Sequence, residues 1–123
     1  MNNNQQNTLL KIYAGESDRV KGKLLYEEIV YQARKAGLAG ATAVKGLLSF
    51  GASHSIHTMK ILALSSDLPV IIEIVDSREN IENFLPLLNQ LMDKSRKGGL
   101  ITLQPVEIRR YTSGEKYRHH TDS

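Results

Sequence analysis

Apolar and polar positions divide the chain into segments of two periods. Leu9-Leu10-Lys11-Ile12-Tyr13-Ala14, closed by Gly15 and the polar stretch Glu16 to Arg19, predicts a first strand. Leu25, Ile29, Ala33 and Ala36 then recur at helical spacing with charges between them, and Gly37 supplies a stop signal, so a helix follows. Gly40 to Phe50 predicts a second strand in which Gly46 marks a bulge or a close backbone approach. From Gly51 to Asp67 the pattern loosens into a serine-rich loop, expected to be the most mobile internal segment, with an apolar patch at Met59 to Leu64 that predicts a short arm strand. Leu68 to Val75 is β-branched nearly throughout, which predicts a central strand covered on both faces and requires a partner for Glu73. Asp76 and Glu79 are spaced as a capping box, and Ile81, Phe84, Leu85, Leu88 and Met92 lay an apolar stripe along a second helix. Pro86 inside that helix predicts a kink. Lys94 to Gly99 ends it, and Leu100 to Tyr111 predicts the last strand.

This order of elements predicts an α+β fold, the ferredoxin-like βαββαβ arrangement of an antiparallel sheet with two helices on one face. The expected organisation is a flexible tail over 1–8, one domain over 9–112 and a polar tail over 113–123. Two helices cover one sheet face and leave the other apolar, so self-association through the sheets is expected.

Composition narrows the setting. The 123 residues include no cysteine, which excludes disulfides and thiolate metal sites and points to a reducing cytoplasm. Met1 to Asn7 lacks the basic and apolar parts of a signal peptide, and no apolar run is long enough to cross a bilayer, so neither export nor membrane insertion is expected. A net charge of +3 mildly favours anionic ligands, yet 13 acidic residues stand among 16 basic ones, unlike a nucleic-acid-binding tail.

The chemistry-bearing segment is Gly98 to Glu115. Paired glycines admit an anion close to backbone N–H groups, and Arg109 and Arg110, expected at the end of the last strand, offer guanidinium forks that suit phosphate. The same glycines serve equally well as a plain turn, and Glu73, Thr42 and the arginines as ordinary strand residues. No Ser-His-Asp order, H-E-x-x-H or P-loop is present, and Glu73 and Glu107 lie on expected strands without an assignable base, so an enzyme is not expected. Two phenylalanines and no RNP-like segment argue against RNA binding. His54 and His57 have no third ligand in view and His119 and His120 lie in the tail, so no metal site is expected.

Gly37 to Gly46, Val70 to Val75, Gly99-Leu100-Ile101, Pro105-Val106-Glu107, Arg110 and Thr112-Ser113-Gly114-Glu115 resemble the successive landmarks of the PII signalling proteins. Ile12 to Asp18, Lys21 to Glu27, Gly51-Ala52-Ser53, Ile56-His57-Thr58 and Asp67 to Val70 are similar to the PII-like family catalogued as domain of unknown function 190, or uncharacterised protein family 0166. The resemblance implies a homotrimer that binds an adenine nucleotide in clefts between subunits and signals to a protein partner through the 51–67 loop. It implies a hydrogen bond from Thr42, Glu73 and Val75 near the base, backbone donors at Gly98 and Gly99, and Arg109 or Arg110 at phosphate. Where PII proteins carry a phosphate-binding lysine, this chain has Leu100, with Lys97 nearby in its place, so AMP or ADP is favoured over ATP. No tyrosine lies between Ser53 and Asp67, which excludes tyrosine modification there. The alternative is a structural or divalent-metal-binding trimer without nucleotide sensing, like the related cation-tolerance proteins.

Overall fold

Alternation of side chains is the organising feature of the first strand, β1 (Asn7–Gly15): Thr8, Leu10, Ile12 and Ala14 are buried, while Leu9, Lys11 and Tyr13 are half-buried on the other face. The computed structural model describes residues 6–47, 68–112 and 114. After β1 come β2 (Arg19–Val20), β3 (Lys23–Leu24), α1 (Leu25–Lys35), β4 (Thr42–Lys45), β5 (Pro69–Ser77), α2 (Arg78–Ser95) and β6 (Leu100–Val106). β4, β5, β1 and β6 form a four-stranded antiparallel sheet in that order, with β5 and β1 central. The architecture is the expected α+β, ferredoxin-like one.

The buried face of the sheet, Leu10, Ile12, Val70, Ile72 and Ile74, packs against Leu25, Ile29 and Ala33 of α1 and Ile81, Phe84, Leu88 and Leu91 of α2. Each large apolar side chain so buried contributes roughly 1.5 to 3 kcal/mol. The opposite face carries Leu9, Lys11, Tyr13, Ile71, Glu73 and Val75, all with some exposure, so within one chain β5 is covered on one face only.

Several expectations are corrected. Between β1 and α1 a small hairpin, β2 and β3, turns through Lys21 and Gly22, both with positive φ. Ala36 is the exposed C-cap of α1, outside its buried stripe. β4 has four residues, and Gly46 marks a close approach: its N–H donates to Pro69 O at 2.7 Å, and an added Cβ would sit 2.9 Å from Pro69 Cγ. The N-cap of α2 is Ser77 in place of Asp76, because the Ser77 hydroxyl accepts the Asn80 N–H. Apart from these corrections, α2 continues past Pro86 to Ser95, and the carbonyl that Pro86 leaves without a donor is that of exposed Glu82, where water can reach it. β6 ends at Val106, five residues before Tyr111, because Val106 pairs with Asn7, the first residue of β1, and no further β1 residue remains to pair with. The 51–67 loop and the arm at 59–64 lie outside the described residues, as do His54, His57, His119 and His120. Among the described residues no helix is long and apolar enough to cross a membrane.

Candidate functional site

Antiparallel register places Thr42 opposite Glu73, Glu73 opposite Lys11, and Lys11 opposite Thr102, which makes one polar row straight across the open sheet face. Within it Lys11 Nζ stands 3.8 Å from Glu73 Oε2, with side chains 31% and 44% exposed. The partner that Glu73 requires is therefore Lys11, a residue the sequence reading did not single out; the odd positions of β1, once set opposite those of β5, would have identified it. The row runs between Val44, Ile71, Tyr13 and Leu100 on one side and Val75, Leu9 and Gln104 on the other. Val44, Val75 and Leu100 are exposed, so a row of hydroxyls, a carboxylate and the Lys11 ammonium runs between largely apolar flanks. Such a surface can cover the face of a planar ring while polar atoms meet its edge.

Lys97, Gly98 and Gly99 form an exposed turn between α2 and β6. Gly99 is required by packing: an added Cβ would collide with the end of the Met92 side chain and lie 2.9 Å from the Tyr13 carbonyl oxygen. No carbonyl among the described residues accepts the Gly98 or Gly99 N–H. Arg96, also missed from the sequence, caps α2 in a left-handed conformation just before this turn.

Arg109 and Arg110 lie past the end of β6, not on it, and both are exposed. Arg109 Nη1 is 3.6 Å from Glu107 Oε1, a solvated pair that contributes little. The next residue, Tyr111, donates its hydroxyl to Ala39 O at 3.4 Å, which brings the arginines toward the loop that precedes Thr42. That loop is tied down by Asp76, whose carboxylate accepts the Ala39 N–H at 2.9 Å, the Ser77 N–H at 2.7 Å and the Asn80 side-chain amide at 2.9 Å.

The residues singled out from the sequence thus fall into two groups. Thr42 of the edge strand β4 and Glu73 and Val75 of its neighbour β5 form one group, which the Arg109/Arg110 segment approaches from the side where Ala39 meets Asp76. Lys97, Gly98 and Gly99 lie at the other end of β6 and on the far edge of the sheet. Three interstrand steps separate β4 from β6, about 14 Å at the usual spacing. The length of β6 separates Gly99 from Arg109 by about 20 Å. One chain does not bring the two groups into a single pocket.

At the end of β4 Lys45 pairs with Glu16, and this hydrogen bond and charge hold the lysine pKa above its ordinary value. Among the described residues no group of three potential metal ligands occurs.

The chain belongs to the DUF190 family, described as Uncharacterized ACR, whose model matches residues 7–108. A UPF0166 protein of Aquifex aeolicus is 36% identical over 100 residues, covering 81% of this chain and 90% of that protein. A UPF0166 protein of Methanocaldococcus jannaschii is 37% identical over 109 residues, covering 89% and 94% respectively. Among solved structures, the de novo designed protein Foldit4 aligns with a TM-score of 0.48 at 11% identity, over 85% of this chain and all of that one.

Proposed function

We propose that this protein is a PII-like regulatory subunit that binds an adenine nucleotide, AMP or ADP in preference to ATP, in clefts between the subunits of a homotrimer, and relays occupancy to a protein partner. The observation that carries this reading is the separation of Thr42, Glu73 and Val75, on the edge strand β4 and its neighbour β5, from Lys97, Gly98 and Gly99 at the opposite edge of the sheet. A ligand that uses both groups needs the β4 edge of one copy beside the β6 edge of the next, and the half-exposed apolar face between those edges gives the copies a reason to associate. In such a cleft Thr42, Glu73 and Val75 offer a hydroxyl, an acceptor and an apolar surface to the purine. Lys97 and the amides of Gly98 and Gly99 from the neighbouring copy offer positive charge and donors to phosphate, and the Arg109/Arg110 segment approaches the purine side from the β4 end.

Titration of the pure protein with adenosine, AMP, ADP and ATP by calorimetry, beside sedimentation of the same sample, tests the reading. Saturable binding of AMP or ADP by a trimer is expected, with ATP weaker. A stable monomer at micromolar concentration, or no adenine-nucleotide binding at millimolar concentration, leaves the structural trimer or the divalent-metal-binding one as the reading to pursue.

A further inference from the structure

Among the described residues β4 is the one element with every residue exposed. β1 and β5 sink alternate side chains into the core, and β6 packs Ile101 and Leu103 against it, whereas Thr42, Ala43, Val44 and Lys45 add nothing there. A strand that buries no side chain is held by its ladder and by whatever ties its ends, which places it at the low end of local stability.

The two ends of β4 are tied differently. Before the strand, Leu38 and Ala41 pack partly against the core and the Ala39 N–H donates to Asp76 Oδ2 at 2.9 Å, so the chain is fixed as it enters. Beyond it, the Gly46 N–H donates to Pro69 O at 2.7 Å, and Lys45 Nζ is bound by the Glu16 carboxylate. Glu16 is itself held: its N–H donates to Leu68 O at 2.8 Å, and its side chain is 20% exposed against 59% for Lys45. The exit is thus closed by one backbone bond and one ion pair, whose fixed half lies on the turn after β1 and whose solvated half lies on β4. An ion pair with a solvated half exchanges readily with water. Opening the strand leaves the core in place, because β5 stays paired with β1 along its whole length and Val70, Ile72 and Ile74 lie on β5 itself. What leaves is Thr42. In the docked strand it stands opposite Glu73 and completes the polar row, and in the open strand that row ends at Glu73.

We propose that β4 is a detachable edge strand, hinged where Ala39 is bound to Asp76 and latched at its far end by Glu16 on Lys45, and that a ligand holding Thr42 beside Glu73 keeps it docked. Latch and ligand then act on the same four residues, and a ligand that meets only the docked form shifts the strand toward it by the difference in affinity. Glu16 and Lys45 are positioning residues in this scheme, acting on the row through the strand that carries Thr42. The proposal rests on the nucleotide reading above for the ligand alone.

Hydrogen exchange on the full chain tests this, read at the amides of the β4–β5 ladder against those of the β1–β5 ladder. Lys45→Met and Glu16→Gln are each expected to speed exchange about threefold to tenfold along the whole β4–β5 ladder, the end at Thr42 and Glu73 included. The β1–β5 ladder should be unchanged, and Lys45→Arg, which keeps the charge, should stay close to wild type. Exchange that quickens only beside Lys45 and Gly46 overturns the proposal, because the strand then frays without leaving. Equal quickening in both ladders, or none in either, overturns it as well. Saturating ADP should slow the β4–β5 ladder of wild type and offset the effect of Lys45→Met. If ADP binds and that ladder exchanges as before, the coupling of strand to ligand is overturned and the nucleotide reading stands. If no adenine nucleotide binds and the variants still quicken the whole ladder, the nucleotide reading falls and the detachable strand stands.

Discussion

Lys11 and Glu73 face each other across the two central strands, Nζ to Oε2 at 3.8 Å, in the middle of the open sheet face. Exposed to water, such a pair contributes about 0 to 1 kcal/mol. Covered by a second copy, the loss of one partner strands the other charge and costs about 3 to 5 kcal/mol. Lys11→Ala is therefore expected to alter the unfolding free energy of the separate chain by less than about 1 kcal/mol and to weaken self-association about a hundredfold or more. Sedimentation over a range of concentrations checks this; equal association of variant and wild type would mean that the pair stays in water.

Separation of the candidate residues onto two edges gives a test of the intersubunit site. Thr42→Ala and Lys97→Glu, each alone, are expected to weaken ADP binding in every cleft. Trimers reassembled from equal amounts of the two should regain wild-type affinity in about a quarter of their clefts, where an intact β4 edge meets an intact β6 edge. Calorimetry on the mixture reads the recovered fraction, and no recovery would place both residues in one chain's own site.

Gly99 is fixed by space. Gly99→Ala puts a methyl group against the Met92 side chain and the Tyr13 carbonyl and is expected to destabilise the protein by about 1 to 3 kcal/mol in urea unfolding. Adding Met92→Ala should recover part of this loss, since the flexible side chain is then gone while the carbonyl remains 2.9 Å away.

Asp76 joins three pieces of chain through the Ala39 and Ser77 amides and the Asn80 side chain, and it is 7% exposed. Asp76→Ala leaves these donors without an acceptor and should cost about 2 to 5 kcal/mol of stability. Asp76→Asn, which keeps one acceptor oxygen, is expected to fall between. Hydrogen exchange should show the loss concentrated in the Ala39 loop and the first turn of α2.

Lys45 is raised above its ordinary pKa by the hydrogen bond and charge of Glu16. With Glu16 ionised, its contribution is complete from neutral pH up to the ordinary lysine value and is lost as pH rises through the higher folded value. The stability difference between wild type and Lys45→Met should stay constant through neutral pH and vanish only under strongly alkaline conditions. A difference that shrinks between pH 6 and pH 8 in a denaturant series would contradict this assignment.

The sequence determined β1, α1 and α2 through their periods, since burial of one face imposes a period of two on the strand and of about 3.6 on the helices, and β5 through its β-branched run, whereas the β2–β3 hairpin and the ends of β4 and β6 were decided by the tertiary structure. The unpartnered polarity of Glu73 was legible for the same reason, as a carboxylate inside a β-branched run. Which residue answers it was not, since Lys11 comes to Glu73 through a register between strands sixty-two positions apart in sequence. The end of β6 is likewise a tertiary fact: Ile108 to Tyr111 carry no signal against extension, and the strand stops where β1 has no further residue to pair with. The Ser77 cap and the left-handed Arg96 depend on the helix ends, which neighbouring packing sets to within a residue. The glycine pair was visible as a possible anion turn, but only the packed positions of Met92 and Tyr13 explain why Gly99 must be glycine. The placement of that turn at the sheet edge opposite Thr42 was decided by strand order, because sequence patterns record which face a residue takes but not which strand lies beside it.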